Sequence, residues 1–332
     1  MTKVVPADAS AILEAARILR RGGLVAFPTE TVYGLGADAE NEPALRALFA
    51  AKGRPADHPV IMHLADASQV ENYAADIPAE GRKLAAAFWP GPMTLVLRRN
   101  NRVSNLVTGG LDTVGLRVPV HPVAQALLRE FAGPIAAPSA NRFGRVSCTR
   151  AEHVLQELDG LIDLILDGGE CEVGLESTII DLSRREPAIL RPGAVTADMI
   201  TNVLGHAPSG HSIASPRVSG SLPSHYAPTA RVEIVTADQI RSRSNELRAS
   251  GQKIAIVTQL PHHLADINDE IQVLLLPDAP EKLAHDLYAV LRRVDDLGCD
   301  IALVTLPAEH GLGWAIVDRL RRAAGPRGDD SP

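Results

Sequence analysis

The chain has 332 residues, too many for one ordinary core, so at roughly 100–200 residues per domain it must divide at least once. With 45% hydrophobic and 22% charged residues it has the composition of a folded globular protein, which excludes disorder over most of its length. Its 33 Lys and Arg against 40 Asp and Glu give a net charge of −7, which argues against a protein that mainly coats nucleic acid but leaves room for a local basic cleft.

The opening MTKVVPADASAILEAARILRRGG carries acidic residues inside its apolar stretch and no small-residue cleavage pattern, so no signal peptide is expected. Residues 9–20 place Ile12, Leu13, Ala16 and Leu19 on one face and stop at Gly22-Gly23, the pattern of a helix with a glycine end. Short apolar runs at 24–27, 60–64, 94–97, 114–118, 134–137, 164–167 and 178–182 then alternate with helical segments near 43–51, 80–88, 121–132 and 150–158. That alternation predicts an α/β domain with a twisted mixed sheet over residues 1–205.

Residues 206–230 change character: Gly, Pro and Ser fill twelve of twenty-five positions, and Arg217 is the one Lys, Arg, Asp or Glu. This is a linker composition at a length that suits a tether or a lid. Beyond it, strands at 231–235, 253–257, 273–276 and 300–305 alternate with helices at 238–249, 280–297 and 314–323, a smaller Rossmann-like α/β domain over residues 231–325, with 326–332 as a tail. Asp295-Asp296 reads as a solvated pair at a helix end and His262-His263 as a loop feature without a third metal ligand. No stretch of about 18 uninterrupted apolar residues occurs, so no membrane span is expected. Cys148, Cys171 and Cys299 are far apart and form no CxxC, so each reads as inert packing in a cytoplasmic protein.

Polar clusters follow the predicted strands of the first domain, the edge where open α/β sheets hold ligands. PTETVYGLG (28–36) offers hydroxyls and two glycines that permit close backbone approach. KGRPADHP (52–59) holds Lys52 and Arg54, two cations suited to phosphate oxygens in a segment pinned by Pro55 and Pro59, followed by His58 and, within the next apolar run, His63. Arg117 interrupts an apolar strand and needs an anion, either an internal carboxylate or a ligand carboxylate. APSANRFGRVS (137–147) brings Ser139, Asn141 and Ser147, while GLESTIID and ILRPG bring Ser177 and Arg191. No Walker A loop, GxSxG elbow, HExxH or dinucleotide GxGxxG is present, so any phosphate would be held by side-chain cations and scattered hydroxyls.

Taken together and in order, PTETVYGLG, KGRP, WPGPMTLVL, GLRVP, PSAN, GLESTIID and LRPG resemble the YrdC-like family. The linker ending in SHYAP, with a second α/β domain after it, is similar to the long two-domain form of the threonylcarbamoyl-AMP synthases; where that family's linker commonly carries a glycine soon after Ser-Pro, this chain has Arg217. The resemblance implies condensation of L-threonine, bicarbonate and ATP, with Mg2+ accompanying ATP and no metal held by protein side chains. It also implies product transfer to a tRNA threonylcarbamoyl-transferase complex, with no membrane partner. By motif, it assigns Lys52, Arg54 and His58 to the ATP phosphates, with Lys52 and Arg54 catalytic. Thr113, Ser139, Asn141, Ser147 and Arg191 fall to the nucleotide, and Tyr226 to a lid over it. Thr31, His63, Arg117, the backbone at Ala137 and Ser177 fall to L-threonine. Two other readings compete. The hydrogenase-maturation carbamoyltransferases share the YrdC-like module but carry zinc-finger parts, for which this chain has no CxxC. A double-stranded RNA or tRNA-binding protein would use the same positive cleft, and the net charge and 3% aromatic content weigh against it.

Overall fold

The computed structural model describes residues 1–210, 215–220, 222–261 and 271–326. His211, the His262-His263 pair and the tail from residue 327 lie outside the described residues. Contacts divide the chain into two units, the first made of Met1–Phe143 with the described residues of 147–220, the second of Gly144–Val146 with those of 222–326.

The first unit runs β1 (Lys3–Pro6), α1 (Ala9–Arg20), β2 (Val25–Phe27), β3 (Gly34–Asp38), α2 (Glu42–Lys52), β4 (Ile61–His63), α3 (Ala79–Phe88), β5 (Met93–Arg98), α4 (Asn105–Thr108), β6 (Thr113–Arg117), α5 (Pro122–Phe131), β7 (Ile135–Ala136), α6 (Ala151–Leu158), β8 (Leu164–Asp167), β9 (Thr178–Asp181), β10 (Ala188–Arg191) and α7 (Ala197–Leu204). Its ten strands form one mixed sheet in the order β1-β8-β2-β3-β7-β4-β6-β5-β9-β10. Local chemistry sets the helix ends. The Asp8 carboxylate accepts from Ala11 N at 2.8 Å to start α1, and Asn41 caps α2, which Gly53 ends in the left-handed region at φ +60°.

The sheet alternates its side chains across two faces. On one, Ala26, Met62, Leu95, Leu97, Val114, Leu116, Ile165 and Ile180 join the main core with Leu48 of α2, Leu84 of α3 and Ile200 of α7. On the other, Val25, Phe27, Ile135, Leu164 and Leu166 pack beneath α1 and α5. That helix pair covers only one end of its face. Farther along, Ile61, His63, Thr94, Val96, Thr113, Gly115, Arg117 and Ile179 have the same parity as the covered residues, because Ile135 pairs with His63 and His63 with Arg117.

The last three residues of PTETVYGLG begin β3. A Cβ on Gly36 would lie 2.9 Å from both Ile135 Cγ2 and Phe27 Cε1, so this glycine serves strand packing. The strands β1 and β10 and the helix α7 lie outside the apolar runs picked from the sequence.

The second unit runs β11 (Arg231–Ile234), α8 (Ile240–Ala249), β12 (Ile254–Thr258), β13 (Gln272–Leu275), α9 (Pro280–Asp296), β14 (Ile301–Val304) and α10 (Gly313–Ala323). Its four strands are all parallel, in the order β11-β14-β12-β13, as the Rossmann-like pattern predicts. Asp295 is not a solvated helix-end charge: its carboxylate accepts from Thr229 N at 2.7 Å and Ala230 N at 2.9 Å and lies 3.5 Å from Arg145. The three cysteines are buried and unbridged, and burial raises the Cys171 thiol far above its usual range.

Candidate active site

The part of the sheet face beyond α1 and α5 is built by three neighbouring strands. His63 ends β4 directly across from Arg117, which ends β6, and Thr94 of β5 follows on the far side. Arg117 donates from Nη2 to Glu30 Oε1 at 2.6 Å and from Nε to the Gly91 carbonyl at 3.3 Å. The second Glu30 oxygen accepts from Val120 N at 3.2 Å. Both side chains are almost fully buried, at 5% and 4% exposure, so of the two anions open to Arg117 the internal carboxylate is present. Nη1 makes no hydrogen bond among the described residues.

His63 is buried beside that cation, with its ring edge-on to Phe27 and Nδ1 unpartnered among the described residues. Burial first and Arg117 second push its pKa down to about 3, so the imidazole is neutral at physiological pH. Thr31 is fully buried and exchanges a 2.8 Å hydrogen bond with Thr29. Ala137 N already donates to the Ile61 carbonyl at 3.0 Å, which ties the PSAN loop to β4 and leaves the Ala137 carbonyl as its polar backbone group.

The cations gather where α2 ends. Lys52 is buried, and its Nζ donates to the carbonyls of Ser139, at 2.5 Å, and Asn141. Burial first, and then Arg54, lower its pKa to about 7, and a neutral amine still has two N–H groups for those two carbonyls. Arg54 donates to the Pro59 carbonyl at 2.8 Å and stacks over the Phe143 ring at 5.5 Å. His58 meets the same ring edge-on at 5.2 Å, its pKa lowered by burial and by Arg54. The loop that holds Arg54 and His58 approaches closely at Gly109, where a Cβ would sit 2.4 Å from the Asp57 carbonyl.

The nucleotide candidates divide into groups. Thr113 lines a cleft with Ile61, Thr94 and Gly115, closed on one side by Arg217–Ser219 of the linker. Val218 packs on Val96, Ile179 and Leu190, and Arg217 lies 3.3 Å from Asp57. Arg191 donates to Ser177 Oγ at 3.1 Å and to the Ser219 carbonyl at 2.9 Å, and Ser177 in turn bonds Thr94 at 2.8 Å. Ser139 and Asn141 are brought to Lys52 through their carbonyls, and Ser147 donates to Glu176 at 2.5 Å.

Tyr226 belongs to the second unit. Its φ is +61°, and its ring, 1% exposed, stacks on Tyr288 at 5.8 Å and lies under Arg319 at 5.2 Å. Three participants were missed in the sequence: Glu30, hidden between two threonines; Thr94, counted only as part of an apolar strand; and Phe143, next to Asn141 in a stretch read for its polar groups. The signal for Glu30 was the lone arginine in a strand, which required a carboxylate somewhere.

Known proteins resemble this chain in sequence and in fold. A family described as "Telomere recombination" matches residues 17–193, and one described as "Threonylcarbamoyl-AMP synthase, C-terminal domain" matches residues 195–325. The threonylcarbamoyl-AMP synthase of Pyrococcus abyssi (strain GE5 / Orsay) is 44% identical over 324 residues, 94% of each chain. That of Bacillus subtilis (strain 168) is 41% identical over 323 residues, 95% of this chain and 93% of the other. Among solved structures, P. abyssi Sua5 complexed with L-threonine matches with a TM-score of 0.87 at 41% identity, covering 98% of this chain and 97% of that one. By sequence and by structure, over nearly its whole length, this chain belongs to the threonylcarbamoyl-AMP synthase family.

Proposed function

We propose that this chain condenses L-threonine, bicarbonate and ATP to threonylcarbamoyl-AMP, releasing pyrophosphate and water, to supply the threonylcarbamoyladenosine modification of tRNA. The observation that carries this reading is the joining of two sites by one loop. The PSAN segment bonds β4 through Ala137, beside the row of His63 and Arg117, and bonds Lys52 through the carbonyls of Ser139 and Asn141. An amino-acid end and a phosphate end are thereby held on one frame. The P. abyssi relative that binds L-threonine has the same fold.

The threonine carboxylate goes to Arg117 Nη1, and the neutral His63 and buried Thr31 supply hydrogen bonds without a net charge. The amine attacks the carbon of CO2 derived from bicarbonate, loses a proton and becomes a carbamate. A carbamate oxygen then attacks the α-phosphorus of ATP as the bond to pyrophosphate breaks. Both partners in that step are anions, so the protein's contribution is positioning and charge neutralisation. Lys52 and Arg54 provide it: a triphosphate brought to the end of α2 favours the ammonium form that burial disfavours at Lys52. Magnesium would accompany ATP and would neutralise phosphate charge. Thr113, Ser139, Asn141, Ser147 and Arg191 take the nucleoside side by the family motifs, and the assignment of Tyr226 to a lid rests on the SHYAP motif alone. The product passes to a tRNA threonylcarbamoyl-transferase complex in the cytoplasm.

The test is mass-spectrometric detection of the adenylate from ATP, bicarbonate and a panel of amino acids. Threonylcarbamoyl-AMP formed with threonine is the expected result. A protein that makes no pyrophosphate but binds tRNA with a steep salt dependence would replace this reading with the RNA one.

A further inference from the structure

Glu30 lies outside the set of residues so far given a role toward substrate, yet it is built into the site more firmly than several that have one. Its carboxylate is 4% exposed, with one oxygen 2.6 Å from Arg117 Nη2 and the other 3.2 Å from Val120 N. Its own carbonyl accepts from Val173 N at 2.8 Å, so the backbone is fixed as well. The Gly91 carbonyl takes Arg117 Nε from another side. Two of the three guanidinium nitrogens are thus committed to protein, and a planar fork held at two corners has one direction left for the third.

We propose that Glu30 is a positioning residue for amino-acid recognition: it locks the Arg117 guanidinium so that Nη1 alone faces the substrate carboxylate, and it balances the arginine's charge. The balance has a chemical consequence. With His63 neutral and Arg117 paired, this end of the site has no net charge, which matches a zwitterionic α-amino acid better than an anion. An unpaired arginine there would draw carboxylates and phosphates alike. Glu30 therefore separates the threonine end from the phosphate end, where Lys52 and Arg54 carry the positive charge. The inference rests on the threonylcarbamoyl-AMP reading.

The experiment compares wild type, Glu30→Gln and Glu30→Asp in adenylate formation, with KM for L-threonine and KM for ATP measured separately. Wild-type synthesis is the control: if wild type makes no threonylcarbamoyl-AMP, the functional reading fails and Glu30 is not at issue. The expected result is a rise in KM for L-threonine on the order of tenfold or more in Glu30→Gln, with KM for ATP within about twofold of wild type. Inorganic pyrophosphate should also become a better competitor against L-threonine in that variant. Glu30→Asp keeps the charge but is one methylene shorter, and should recover part of the threonine affinity. Where Glu30→Gln fails to fold, Glu30→Asp decides alone, with a smaller rise in the same direction. A threonine KM that stays at the wild-type value, or rises in step with that for ATP, overturns the proposal and leaves Glu30 as a structural counter-ion.

Discussion

Lys52 and Arg54 are two residues apart and both buried, yet burial acts on them differently. The ammonium of Lys52 can shed its proton and its pKa falls to about 7, whereas a guanidinium cannot, so Arg54 remains the constant positive charge at the end of α2. Arg54→Ala should therefore lower adenylate synthesis by about 10²–10³-fold while circular dichroism and thermal unfolding stay close to wild type, because Arg54 follows the end of α2 and its side chain is not part of the hydrophobic core. Near-normal synthesis by that variant would remove Arg54 from the reaction. His63 makes a prediction about pH. Its folded pKa is about 3 and its ordinary value 6.5, so between these the unfolded chain binds a proton that the folded chain refuses. Stability should fall as pH drops from 6.5 toward 3, by a few kcal/mol, and His63→Gln should flatten that slope in denaturant titrations at stepped pH. A slope identical to wild type would mean that His63 titrates normally.

At the scale of elements, the strands and helices with a clear period were legible in the sequence. α1 and β8 match their sequence readings residue for residue, and β4 through β7 lie within a residue or two of theirs. β3 was not, because its glycines look like turn residues and reveal their purpose only when Ile135 and Phe27 are seen against Gly36. β1 was missed because it is short and largely exposed at the sheet edge, so no apolar pattern marks it. The site was legible as residue types and not as geometry. Arg117 had two possible anionic partners on residue type alone, and only the fold brings Glu30 to it across 87 positions. Tight approach matters equally after β10. A Cβ on Gly193 would lie 2.5 Å from Thr178 N and 2.7 Å from the Glu176 carbonyl, next to Ser177. Gly193→Ala should cost about 1–3 kcal/mol in thermal or denaturant unfolding and weaken threonine binding together with stability. A variant with unchanged stability and activity would show that the segment relaxes freely.

At the scale of the whole molecule, the chain passes from the first unit to the second inside the linker read from composition. Its described residues up to Gly220 belong to the first unit and those from Leu222 to the second. Three residues of the NRFGRVS stretch, Gly144–Val146, also belong to the second unit. There Ala227 N donates to the Gly144 carbonyl at 3.0 Å, Arg145 reaches Asp295 and Thr229, and Arg292 donates to the Val146 carbonyl. A chain ending at Gly220 should thus keep its ten-stranded sheet but leave these three residues without partners. Limited trypsin digestion should then cut after Arg145 on the order of tenfold faster than in the full chain. Equal cleavage rates would show that the segment holds itself. The same feature bears on how the protein is made. Arg145 leaves the ribosome 150 residues before Asp295, and at roughly 5–20 residues per second the loop between Asn141 and Ser147 waits many seconds for its last contacts. A nascent chain can assemble its sheet early, but this loop is finished only when synthesis is nearly complete, so an interrupted translation product would lack an ordered Gly144–Val146.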